Sequence, residues 1–243
     1  MKYKHIVAIA LFAFLTSCSP GKGKKLIFVL FDVSGSTISR REAYNNEFNK
    51  LILSSLKSGG RIIADRITDN PLAQSSFPVN FKILSYNPLG DETEREDKNQ
   101  FERDLATTTI ANLLSSSNRR IMRTKIFDSL KLAERVFNSY PEYKKRILVI
   151  FSDMIEESDE YNFKRDVLDD SKIKKIIEEQ KQSKSGLPNL TGVRVYITGA
   201  TATSKGGLTT DRINAIKNFW ISYYSTCGAD VIDYGPTLLR FEE

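Results

Sequence analysis

Three observations predict an α/β fold, doubly wound, with a mostly parallel central sheet, helices on both faces and one antiparallel edge strand. Strand-like and helix-like patterns alternate along most of the chain. Two of the strands are apolar at every position, as expected when both faces are covered. Both of those strands run directly into acids and hydroxyls.

The elements follow in order. LIFVLFD, ending at Asp32, reads as a buried strand because it is continuously apolar rather than alternating. ISRREAYNNEFNKLILSSLK has helical spacing at Phe48, Leu51, Ile52 and Leu56. Ser39 and Glu42 stand as a capping box, and Gly59-Gly60 stops the helix. RIIADRIT and VNFKILSY read as two strands around a loop with Pro71 and Pro78, pairing as an antiparallel edge hairpin. DETEREDKNQFERDLATTTIANLLSS is a long polar helix with its acids first, which suits the helix dipole. TKIFDSLKLAERVFNSY is strongly amphipathic and ends at Pro141, with Thr124 as its N-cap. RILVIFSDM is the second fully apolar strand and VRVYITGA the third clear one. TDRINAIKNFWISYYSTC and ADVIDYG supply the last helix and strand. Trp220, Tyr223 and Tyr224 are assigned to packing, and Asp169, Asp170, Glu178 and Glu179 to an exposed helix surface.

The chain has 243 residues, 40% of them hydrophobic and 27% charged, which suits a globular domain. Residues 1–17 have a different character. Lys2 and Lys4 precede the apolar run HIVAIALFAFL, and LTSC follows, in the layout of a secretory signal. LTSC resembles the lipobox of bacterial lipoproteins. That resemblance implies cleavage before Cys18 and lipidation of Cys18. Residues 18–24 would then form a lipidated tether and 25–243 the folded domain. It also implies a place in the bacterial cell envelope, with the outer membrane favoured by Ser19 if the host has two membranes.

Removal of the signal takes away His5, the sole histidine, and with it serine–histidine and cysteine–histidine catalysis and histidine metal sites. Cys227 is left without an intramolecular partner and reads as a small buried hydrophobe. Without Lys2 and Lys4 there are 34 bases against 30 acids, a net charge of +4. A balance this mild is not a nucleic-acid signature without a clustered patch.

In an open parallel sheet, ligands bind beyond the carboxyl ends of the strands. Asp32, Ser34 and Ser36 leave the first apolar strand there, and Ser152 and Asp153 leave the second. Thr124 lies between them in sequence. Two carboxylates and three hydroxyls are hard oxygen donors, suited to Mg²⁺ (or Mn²⁺), which takes six oxygens at about 2.1 Å and keeps waters in its shell. Gly35 is expected to let the backbone turn tightly between the two serines. A competing reading, in which Asp32 and the serines only cap a helix, does not require a matching aspartate on another strand.

The motif DVSGS, a later threonine at a helix start and a later strand-end aspartate resemble the von Willebrand factor type A domain and its metal-ion-dependent adhesion site. The resemblance runs roughly from Lys25 to Tyr234 and places Asp32, Ser34, Ser36, Thr124 and Asp153 on the metal. It implies that the serines bind directly, that the threonine binds directly or through water, and that the aspartates often act through water. Thr107, Thr108 and Thr109 are alternatives to Thr124. The implied function is a lipid-anchored module, monomeric in isolation, whose metal engages an acidic residue of a protein partner. Arg119, Arg120, Arg123 and Lys125 would form a partner-binding rim. A metal-independent scaffold is the alternative. Asp32 after an apolar strand also resembles the nucleophile of haloacid dehalogenase-type phosphatases. Those carry Asp-x-Asp, whereas Ser34 stands at the second acid, so no enzyme is expected.

Overall fold

The computed structural model describes residues 24–57, 59–115, 123–200, 208–239 and 241. The signal segment, Cys18 and the tether up to residue 23 lie outside them. The core is one six-stranded sheet in the order β3-β2-β1-β4-β5-β6. β1 (Lys25–Asp32) lies between β2 (Gly60–Ile67) and β4 (Lys145–Phe151), parallel to both. β5 (Val193–Thr198) and β6 (Asp230–Gly235) extend the parallel array, and β3 (Val79–Ile83) pairs antiparallel with β2 at the other edge. The expected mostly parallel sheet with one antiparallel edge is therefore present.

Alternation along β1 explains its composition. Leu26, Phe28 and Leu30 pack on one face, with α4 (Ile126–Ser139), α5 (Asp170–Gln182) and α6 (Thr210–Thr226). Ile27, Val29 and Phe31 pack on the other, with α1 (Arg41–Glu47) and α3 (Glu92–Ser115). Each position meets a core, so none is polar until Asp32. The remaining short helix, α2 (Pro71–Gln74), lies in the β2–β3 loop.

Several local expectations are corrected. Helical winding after β1 begins at Gly35, not at a Ser39–Glu42 capping box. A 3₁₀ turn over Gly35–Arg40 leads into α1, and a π turn (Phe48–Ile52) and a second 3₁₀ turn (Leu53–Leu56) follow. The cause is Thr37, whose hydroxyl donates to the carbonyls of Asp32 at 2.8 Å and Ser34 at 3.0 Å and winds the chain as it leaves the strand. Ser39 is thus already inside a helical turn. Gly35 does not have positive φ, and a Cβ built on it would meet nothing within 4 Å, so the backbone there does not demand glycine. Gly59 has φ +90, and a Cβ on it would stand 2.8 Å from that of Ser85, so the glycine stop is a steric one. β3 ends at Ile83 rather than running to Tyr86, because Asn99 of α3 takes up both backbone groups of Leu84, at 2.7 and 3.0 Å.

Trp220, Tyr223 and Tyr224 are fully buried, and Cys227 is a buried free thiol, pushed up to about 12 by burial. Asp169 caps α5 through Lys172 N at 2.8 Å, while Glu179 accepts from the Tyr161 hydroxyl at 3.0 Å. Among the described residues no helix is long and apolar enough to cross a membrane.

Candidate metal site

The parallel register of β1 and β4 sets Phe31 beside Phe151, their rings stacked at 4.8 Å. One residue further, Asp32 and Ser152 emerge together. Both are fully buried, and the Ser152 hydroxyl donates to Asp32 Oδ2 at 2.8 Å. Asp32 Oδ1 accepts from the Ser34 backbone N–H at 2.9 Å, closing an Asx-type turn. That turn brings the Ser34 and Ser36 hydroxyls to 3.0 Å from each other.

Asp153 arrives from β4. Its Oδ1 accepts from Ile155 N at 3.1 Å, whereas its Oδ2 is buried without a hydrogen-bond partner. The turn that presents it is strained. Met154 has φ 61, uncommon for a residue with a side chain. Ser152 Oγ accepts from Met154 N at 2.9 Å, and the Trp220 indole donates to Met154 O at 2.8 Å, which holds that conformation.

Burial raises the Asp32 carboxyl, opposed by hydrogen bonds from Ser34 and Ser152 and by the Arg41 charge. Burial and then the neighbouring Asp32 push Asp153 up to about 7, opposed by Ser36, Ile155 N and Lys164. The nearby guanidinium of Arg41 does not pair with either acid. It donates to the carbonyls of Val33 at 2.5 Å, Ser34 at 3.3 Å and Leu114 at 3.1 Å, tying the serine turn to the end of α3.

The arrangement is thus two carboxylates in mutual repulsion, two hydroxyls and one partnerless buried oxygen. Among the described residues no group of three or more His, Cys, Asp or Glu side chains gathers as a metal cluster. Any cation here would depend on hydroxyls, as expected for a hard ion that keeps part of its water. The donor set fits such an ion. A cation would relieve the carboxylate repulsion and give Asp153 Oδ2 a partner.

Four of the five expected residues, Asp32, Ser34, Ser36 and Asp153, come together. Thr124 is 3% exposed and sits beside the segment that follows Asp153, bridged to Glu157 by two backbone hydrogen bonds of 3.1 and 3.0 Å. No hydrogen bond among the described residues joins it to the other four. It is also not the N-cap of α4. Lys125 holds that position without a side-chain cap, and Glu156 Oε2 accepts from Ile126 N at 2.6 Å and from Phe127 N at 3.3 Å. Thr107, Thr108 and Thr109 lie inside α3, and the Thr107 hydroxyl donates to Asn49 at 2.9 Å.

Arg119 and Arg120 lie outside the described residues. Arg123 and Lys125 both face Asp159, Arg123 in a close ion pair and Lys125 at 3.9 Å, so this part of the rim is already engaged by an acid of the chain itself. Sequence reasoning missed Arg41, Glu156 and the supporting role of Ser152. Only Ser152 had a signal, its place beside Asp153 at a strand end. It also missed Tyr44, a fully buried phenol without a hydrogen-bond partner that packs against Gly199 and feels both Asp32 and Asp153.

No protein-family model matches the chain, and no curated protein matches it. Similar solved structures include the pilus adhesin SpaC from Lactobacillus rhamnosus GG in its open conformation, at 12% identity and TM-score 0.45 over 82% of this chain and 27% of that one. The human COPII-coat protein Sec24c is another, at 13% identity and TM-score 0.45 over 88% of this chain and 29% of that one. The chain spans less than a third of the length of either structure.

Proposed function

We propose that this chain is a lipid-anchored, non-catalytic protein-binding module that holds Mg²⁺ or Mn²⁺ and uses it to engage a carboxylate of a partner protein. The observation that carries this reading is the pair of carboxylates from adjacent strands, Asp32 fully buried and Asp153 half-buried, with the buried Oδ2 of Asp153 left without a partner beside the hydroxyls of Ser34 and Ser36. Ser34 and Ser36 would hold the ion directly, and Asp32, Asp153 and Thr124 would complete or orient its shell. The bound ion supplies an electrophilic position open to an acidic side chain.

Two features of the chain support binding over hydrolysis. Both Asp32 oxygens are occupied by hydrogen bonds, which holds that carboxylate as an acceptor and not as a free nucleophile. Gly35 is exposed, and the space where its Cβ would stand is open, which leaves room for a partner above the serine turn. The lipid anchor rests on LTSC ending at Cys18. Mass measurement of an acylated amino-terminal peptide tests it.

The test of the metal reading is calorimetric titration of Mg²⁺ and of Mn²⁺ into the full chain, beside Asp32→Ala and Thr124→Ala. Saturable binding lost in both variants supports the five-residue site. Loss in Asp32→Ala alone removes Thr124 from it. Absence of binding by the folded wild type, with and without acetate as a carboxylate mimic, leaves the metal-independent scaffold.

A further inference from the structure

Thr124 precedes α4, yet it is not held in place by α4. Its backbone N–H and C=O both pair with Glu157, and Lys125 N donates to Thr68 O at 3.3 Å. The next two amides, of Ile126 and Phe127, converge on one oxygen of the Glu156 side chain, at 2.6 and 3.3 Å. Those amides are the orphan donors of a helix start, and no cap from the helix's own sequence serves them. Glu156 is 1% exposed, lies in the segment that carries Asp153, and reaches across thirty residues of sequence to cap α4. Two ties therefore fix the Thr124 loop to the exit of β4. One is backbone pairing at Glu157. The other is a side chain whose length sets the spacing.

We propose that Glu156 is a positioning residue for the metal site: it fixes Thr124 relative to Asp153 and thereby sets the affinity for the divalent cation. This rests on the metal reading above. The side chain acts through reach rather than charge, because its work is to accept two amide hydrogens at a fixed distance. Glu156→Gln preserves the reach and an accepting oxygen. Glu156→Asp preserves the acid and shortens the side chain by one methylene, about 1.5 Å, which takes the oxygen out of hydrogen-bond range of Ile126 N unless the loop moves.

The experiment is Mn²⁺ titration followed by electron paramagnetic resonance, with Mg²⁺ calorimetry alongside. It compares the full wild-type chain, Glu156→Gln, Glu156→Asp, Thr124→Ala and the double variant Thr124→Ala/Glu156→Asp. Glu156→Gln should bind within about threefold of wild type and Glu156→Asp about tenfold more weakly, the scale typical of lost outer-shell support. The double variant should bind no more weakly than Thr124→Ala, because Glu156 acts through that residue. A merely structural role would give additive losses. Equal affinity of Glu156→Asp and wild type, additive losses, or a tenfold loss in folded Glu156→Gln each overturns the proposal while leaving the metal site intact. Absence of wild-type binding overturns the metal reading and this inference together. If Glu156→Asp does not fold, Glu156→Gln decides, native-like affinity supporting the proposal and tenfold loss overturning it.

Discussion

The hydroxyl of Ser152 and the carboxylate of Asp32 lie 2.8 Å apart although 120 residues separate them in sequence. The same hydroxyl accepts from Met154 N at 2.9 Å, so one oxygen links the end of β1 to the turn that presents Asp153. Ser152→Ala would leave both Asp32 Oδ2 and Met154 N without this partner in a fully buried place. The expected cost is about 1–3 kcal/mol, read as a lower midpoint at unchanged slope in urea unfolding. A variant as stable as wild type would show that the two groups find other partners.

Trp220 holds the other side of the same turn through its bond to Met154 O. Trp220→Phe keeps an aromatic ring in the cluster with Phe127, Phe163 and Tyr223 but removes the donor and leaves a small void. A loss of roughly 2–4 kcal/mol is expected, visible as a lower thermal midpoint. Mn²⁺ affinity should fall as well, since the left-handed Met154 conformation that aims Asp153 is then less constrained.

Two glycines should respond in opposite ways. Gly199 has φ +102, and a Cβ on it would stand 2.2 Å from the Tyr44 hydroxyl and 3.0 Å from Ser152 O. Gly199→Ala should therefore cost about 2–4 kcal/mol through backbone strain and overpacking. Gly35→Ala meets open space and should be neutral, or stabilising by up to about 1 kcal/mol through the unfolded chain. Denaturation midpoints of the two variants decide both expectations.

The Glu156 carboxyl is pushed from its usual 4.5 up to about 8 by burial, with a further push from Asp128 and opposition from Ile126 N, Ser158 and Phe127 N. Between those two values the folded protein holds a proton that the unfolded chain has released. The group's contribution to stability is complete below about 4.5 and is lost as pH rises through about 8. The slope is at most about 1.4 kcal/mol per pH unit. Glu156→Gln does not titrate. Its stability relative to wild type should therefore improve between pH 5 and pH 8.5, as followed by urea unfolding. A constant difference over that range would mean that Glu156 has no raised value.

Much of the fold was legible because burial on both sheet faces leaves a direct mark. LIFVLF and ILVIF have no polar residue for solvent, which identifies central parallel strands. Asp32, Ser34, Ser36 and Asp153 were legible as a group because strand ends of a parallel sheet converge on one edge. What escaped was set by distant partners. The Ser39–Glu42 pattern was a sound local cap signal, but Thr37 bonds back to the strand and starts the winding earlier. Thr124 had the chemistry of an N-cap, but Glu156 supplies the cap from thirty residues away. Gly35 could not be assigned a conformation from its identity, since glycine permits positive φ without requiring it.

The strand order has a consequence for how the site comes into being. β1, β2 and β3 are complete by residue 83, but β4, which lies on the other side of β1, begins only at Lys145. Three of the five proposed oxygen donors, Asp32, Ser34 and Ser36, are thus made early and wait for Thr124 and Asp153. Asp32 cannot meet Ser152 until a span of 120 residues has closed. Closing so long a span is slow, although its entropy cost grows only with the logarithm of its length. During synthesis on the ribosome, β1 therefore has one uncovered hydrogen-bonding edge, with Asp32 at its end, until β4 emerges to pair with it.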